Sequence, residues 1–103
     1  MWALTHCPSP RMHACQRTFV SVEEIDYAKA LRQHNKYCQK LEQLGVTVQT
    51  LCVNQEHPDC AFIEDIAILL DELVILTSMG TESRLLEPTG AADSMRAFGE
   101  VVR

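Results

Sequence analysis

The stretch IDYAKALRQHNKYCQKLEQLGVTVQTLCV, residues 25–53, decides the fold class. In its first part Tyr27, Ala30, Leu31, His34, Cys38, Leu41 and Leu44 recur every three or four residues, with Lys29, Arg32, Gln33, Lys36, Lys40 and Gln43 on the other face. That spacing predicts an amphipathic helix from Ile25 to Leu44. Ser21-Val22-Glu23-Glu24, just ahead of it, has the form of a capping box, in which a serine hydroxyl and a glutamate three residues on satisfy free backbone amides. Gly45 ends the helix, since the residue past a helix end often takes a left-handed backbone that glycine adopts without strain. The period then drops to two: Val46, Val48, Thr50 and Cys52 alternate with Thr47, Gln49, Leu51 and Val53, and the β-branched content predicts a strand. Helix, glycine and strand with a tight connection make an α/β layered unit.

Toward the amino terminus, Trp2 to His6 reads as a short strand, broken by Pro8-Ser9-Pro10. Arg11 to Val20 has no period and reads as a loop. His6, Cys7, His13 and Cys15 carry ligand-type atoms, but their spacing matches no usual zinc finger or ribbon. They read as loop residues and a thiol under the core, with no metal expected. His34, on the apolar stripe, reads as a hydrogen-bonded core histidine.

Toward the carboxyl terminus, Asn54 to Pro58 is a polar loop. It leads to Pro58-Asp59-Cys60-Ala61-Phe62-Ile63-Glu64-Asp65 and then to the apolar run Ile66 to Thr77. Two strands are predicted, about Ala61 to Leu70 and Leu73 to Thr77, joined by Asp71-Glu72 as a hairpin. Acids beside a core need a donor partner or a proton, because a desolvated carboxylate is costly. A guanidinium suits best, its planar fork of N–H groups bonding several carboxylate oxygens at once. On a regular strand Glu64 and Asp65 would point to opposite faces, so the chain must be irregular there for both to reach one ligand. Met79-Gly80-Thr81-Glu82-Ser83-Arg84 is a turn; taken alone, Arg84 reads as a solvated surface charge. After Pro88-Thr89-Gly90, residues Ala91 to Val102 suggest a short helix with an apolar stripe of Met95, Phe98 and Val102.

The totals narrow the function classes. With 103 residues there is room for one domain. Nine basic against fourteen acidic residues give a net charge of −5, which argues against nucleic acid and anionic membranes and favours a cationic small molecule. The start of the chain has neither a basic n-region nor an apolar h-region, and the longest apolar run is too short to span a membrane. A cytoplasmic location is the expectation. Five cysteines at irregular spacing, with no secretory signal, read as free thiols.

Three blocks, Ile25 to Asn35, Pro58 to Asp65, and Thr77 through Gly80 to Arg84, resemble the amino-terminal part of the dimethylarginine dimethylaminohydrolases. These belong to the guanidino-group-modifying superfamily with the pentein fold. The likeness spans roughly Trp2 to Glu87. It implies a partial pentein-type α/β propeller, with one to two ββαβ blades, a mixed sheet and one long helix. Residues 1–87 would form that module and 88–103 a divergent tail. The family hydrolyses methylated arginine to citrulline and an alkylamine. By resemblance Asp59, Glu64 and Asp65 hold the guanidinium, and Phe62 is an aromatic wall. The resemblance also implies that Arg84 helps to bind the amino-acid end, near a lid corresponding to about Pro8 to Thr18.

The sequence departs from the family at Gln16 and Arg17 in that lid, where an apolar residue is usual, and at Ser78-Met79, where Arg-Pro is common. The family's nucleophilic cysteine lies near the carboxyl terminus and its histidine in the second half, beyond the last residue of this chain. Both an acid/base and an activated thiol are needed to expel an amine from so stable a cation. The expectation is therefore a truncated dimethylargininase-like protein that binds a guanidino compound without cofactor and is not catalytic alone. The alternative is a non-enzymatic module that self-associates or docks on a partner through open sheet edges.

Overall fold

The computed structural model describes residues 1–15 and 24–103. It is an α/β structure with two sheets. Strand β1 (Trp2–His6) pairs in parallel with β2 (Thr47–Leu51), in the register Trp2↔Thr47 to His6↔Leu51, and helix α1 (Tyr27–Gln43) lies between them in the chain. A parallel neighbour demands such a crossover, because a tight turn can only join antiparallel strands. The second sheet is mixed, with order β3-β4-β5: β3 (Ala67–Leu69) runs antiparallel to β4 (Leu73–Leu76), and β5 (Glu100–Val102) runs parallel to it. Helix α2 (Glu87–Met95) makes the crossover from β4 to β5.

Helix α1 forms where the periodicity places it. Its N-cap is Asp26, whose Oδ1 accepts the Lys29 N–H at 3.0 Å. The capping box at residues 21–24 falls largely outside the described residues, as do residues 16–18 of the lid. At the other end Gly45 has φ +86°, and the Gly45 and Val46 N–H groups donate to the Glu42 and Leu41 carbonyls at 3.0 Å each. These are the two bonds of a glycine-terminated helix end. The predicted stripe is the half-buried one, except that Leu44 is exposed. No residue of α1 is fully buried, so the helix caps the β1–β2 pair rather than sinking into it.

The Asp71-Glu72 hairpin is present, with Leu70 N–H donating to the Leu73 carbonyl at 2.8 Å. The strand ahead of it is shorter than expected. A succession of backbone turns, His57 to Asn54, Cys60 to His57, Phe62 to Asp59 and Asp65 to Phe62, winds the chain up to Ile66, and Ile63–Asp65 is a 3₁₀ turn. The tail also differs. Helix α2 begins at Glu87 and ends at Met95, a 3₁₀ turn covers Arg96–Phe98, and Val102 lies in β5 rather than on a helical stripe. Gly99 is the reason. A Cβ there would lie 2.8 Å from the Glu72 carbonyl carbon, so only glycine brings the chain close enough for Glu100 N–H to reach the Glu72 carbonyl.

The core comprises Leu51, Ile66, Ala67, Val74, Ala91 and Met95, with Leu4, Leu76, Phe98 and Val101 against it. Residues from β2, β3, β4 and α2 thus meet in one cluster, and the tail contributes two of its buried members.

Candidate functional site

The 3₁₀ turn Ile63–Asp65 replaces the first half of the expected strand, and this sets the site. In this turn Glu64 and Asp65 are both exposed, Phe62 is 42% exposed just before them, and Asp59 is buried at 3%. The turn is tied to the sheet behind it: Thr77 Oγ1 donates to the Asp65 carbonyl at 2.6 Å and Thr77 N–H to the Ile66 carbonyl at 3.0 Å.

One of these acids, Asp65, has a guanidinium partner inside the protein. Arg84, at the end of the 3₁₀ turn Glu82–Arg84, is buried at 8% exposure, not solvated as its isolated position in the sequence suggests. Its Nη1 donates to Asp65 Oδ2 at 2.7 Å, and its Nε donates to Glu87 Oε2 at 2.9 Å, with Nη2 2.8 Å from the same oxygen. Nη2 also donates to the Phe62 carbonyl at 3.0 Å and, more weakly, to the Asp59 carbonyl at 3.5 Å. Burial works to lower the Arg84 pKa. The hydrogen bonds to Glu87 and Asp65 and the charges of both carboxylates outweigh it, so the guanidinium is held above its usual value. These contacts leave the second Nη1 hydrogen as the remaining donor.

The structure thus gathers Asp65, Arg84 and the carbonyls of Asp59 and Phe62 into one clasp. Glu64 instead lines a cleft of about 430 Å³, together with Leu4, Thr5, His34, Tyr37 and Met95. His34 is hydrogen-bonded, as a core histidine should be, but at the rim of this cleft: its Nε2 is 3.5 Å from Cys38 Sγ, a helical turn away. Burial, and secondarily the nearby His6, lower its pKa below the ordinary histidine value.

Sequence reasoning passed over a second group of buried polar residues. The Asn54 N–H donates to His6 Nε2 at 3.1 Å, so the His6 proton sits on Nδ1 and is donated to the Cys7 carbonyl at 2.8 Å. Asn54 Nδ2 donates to the Glu87 carbonyl at 2.9 Å, which connects the end of β1, the loop after β2 and the start of α2. Glu87 is 1% exposed, and its Oε1 has no hydrogen-bond partner among the described residues. The available signal was the three-residue spacing of Arg84 and Glu87 across a helix start, where a glutamate is favoured.

The thiols near the clasp are not activated. Burial, with smaller contributions from neighbours, pushes Cys60 up to about 12 and Cys7 up to about 11. At neutral pH the thiolate fraction of either is then on the order of 10⁻⁴ or less, whereas a nucleophilic cysteine needs a depressed value.

Comparison with known proteins places the chain by family and fold. Residues 8–96 match the family model of eukaryotic N,N dimethylarginine dimethylhydrolase. An N(G),N(G)-dimethylarginine dimethylaminohydrolase of Streptomyces coelicolor is 30% identical over 97 residues, covering 94% of this chain and 38% of the relative. One from Pseudomonas aeruginosa is 36% identical over 80 residues, covering 76% and 32%. In solved form, a cysteine-to-serine mutant of the Pseudomonas aeruginosa enzyme complexed with citrulline superposes with a TM-score of 0.85 at 27% identity, over 99% of this chain and 41% of that one. The chain spans about two fifths or less of the length of these relatives. On the family match and the shared fold, the chain belongs to the dimethylarginine dimethylaminohydrolase family.

Proposed function

We propose that this chain carries the guanidinium-binding part of a dimethylargininase-type site and, by itself, binds N-methylated arginine without hydrolysing it. Glu64, Asp65 and Asp59 would hold the cationic group and Phe62 would flank it. Arg84 would reach the amino-acid carboxylate with its remaining Nη1 hydrogen. The observation that carries this reading is the 3₁₀ turn Ile63–Asp65, which presents two successive exposed carboxylates, Glu64 lining a cleft and Asp65 bonded to Arg84. The unit β3-β4-α2-β5 has the order of a ββαβ blade, and β1-α1-β2 that of the end of another, which supports a partial propeller. The raised thiols of Cys7 and Cys60 support the non-catalytic part of the reading.

Calorimetric titration with N-methylated arginine, arginine and guanidine tests the reading. Saturable binding of the methylated amino acid is expected, weakened about tenfold or more in Glu64→Gln by loss of a charge-assisted hydrogen bond, with no citrulline formed. No binding by the unaltered chain would remove the proposal, and citrulline formation would remove its non-catalytic part.

The exposure of Ile68, Leu69 and Leu70, each between 45% and 53% along and beyond the edge strand β3, favours a second reading. This is a module that self-associates or docks through open sheet edges.

A further inference from the structure

We infer that Glu87 is a positioning residue for the acidic turn: from behind, it holds the Arg84 guanidinium in the clasp that Arg84 closes on Asp65 and on the carbonyls of Asp59 and Phe62. The inference rests on the reading of that turn as a guanidinium site and adds to it a residue outside the ligand's reach.

Its anchorage comes from the fold. Glu87 opens α2, Pro88 follows in the first turn, and Ala91 and Met95 fasten the same helix to the core. The Glu87 carbonyl is bonded by Asn54 Nδ2, and Gly90 packs so closely on Asn54 that a Cβ would come 2.0 Å from Oδ1. The Glu87 side chain, 1% exposed, thus has a fixed origin, and Oε2 engages both Nε and Nη2 of Arg84 at 2.9 and 2.8 Å. Two carboxylates share one guanidinium, so the trio keeps one negative charge. Because Glu87 takes up the arginine's charge from the buried side, Asp65 keeps negative potential on its solvent side for a second cation. With a neutral residue at 87, the full charge of Arg84 would fall on Asp65, and the trio would be neutral. Glu87 therefore sets the preference of the turn for a cationic over a neutral ligand.

Binding of N-methylated arginine and of citrulline, a cation and a neutral molecule of similar shape, is compared for the unaltered chain and Glu87→Gln, with ¹⁵N spectra of the same samples. The expected result is a loss of about tenfold or more for methylated arginine, a clearly smaller change for citrulline, and displaced amide resonances at residues 62–66. Equal weakening of both ligands would reveal a structural role only and overturn the inference, as would unchanged affinity for both. If the unaltered chain binds neither ligand, the proposed function fails while the positioning role is still decided by the spectra: moved amides at 62–66 support it and unmoved ones overturn it. Should E87Q not fold, E87D carries the same spectral outcomes, because its shorter side chain keeps the charge but withdraws the carboxylate from Nε and Nη2 of Arg84.

Discussion

Cys60 illustrates how one buried side chain commits the molecule to a pH range. The thiol is 3% exposed, donates to the Cys7 carbonyl at 3.4 Å, and is pushed from 9.0 to about 12, chiefly by burial. The folded state therefore keeps a proton that the unfolded chain releases above pH 9.0. Where the unfolded state binds fewer protons, stability falls as pH rises. The contribution of Cys60 is fully present below pH 9.0 and is lost between 9.0 and about 12. Cys7 behaves likewise between 9.0 and about 11. Urea unfolding across this range should show a loss on the order of 1 kcal/mol per pH unit from Cys60, and Cys60→Ala should flatten that limb relative to the unaltered chain. Parallel curves for the two proteins would contradict the assignment.

Among the elements, the least robust junction is the turn into β5. Gly99 has φ +155° and lies against the Glu72–Leu73 peptide, where an added Cβ would come within 2.8 to 2.9 Å of three backbone atoms. Backbone cannot yield as a flexible side-chain tip can. Gly99→Ala should cost about 2 kcal/mol or more, as overpacking with backbone displacement does, and in denaturant titration it should lower the midpoint. Hydrogen exchange should place the loss in β5 and β4 and leave α1 unchanged. Helix α1, Gly45, β1, β2 and the hairpin were legible because local pattern and tertiary demand agree there: a 3.6-residue stripe, a left-handed glycine and β-branched alternation. The 3₁₀ turn was foreseen only as a need for irregularity at Glu64 and Asp65, since no glycine or proline marks it. The tail misled because Met95, Phe98 and Val102 happen to fit a helical spacing, while Gly99 admits a strand whose neighbour lies more than twenty residues away. In the sequence the site reads as acids seeking a guanidinium, and of these Asp65 meets one within the protein. That Arg84 already supplies one, with Glu87 behind it, depends on a fold that brings residue 84 to residue 65, which spacing does not encode.

At the scale of the whole molecule, much apolar surface stays uncovered. Trp2, Leu44, Leu70 and Leu86 are each more than half exposed, and α1 buries nothing fully. Exposed apolar surface and an open strand edge such as that of β3 are where another chain can add on. If the self-association reading holds, sedimentation at rising concentration should show dimers or larger species, and Leu69→Lys should restore the monomer. A folded monomer at high concentration would dismiss it.

Trp2 and Phe98 meet edge to face, with ring centroids 5.5 Å apart and planes at 79°. One ring belongs to β1 and the other to the turn before β5, so the contact spans the seam between the two sheets, and the chain has no second tryptophan. The indole is thus a native optical probe for that seam. Its emission tracks whether the two halves of the molecule are docked, separately from the helical signal, which comes mostly from α1.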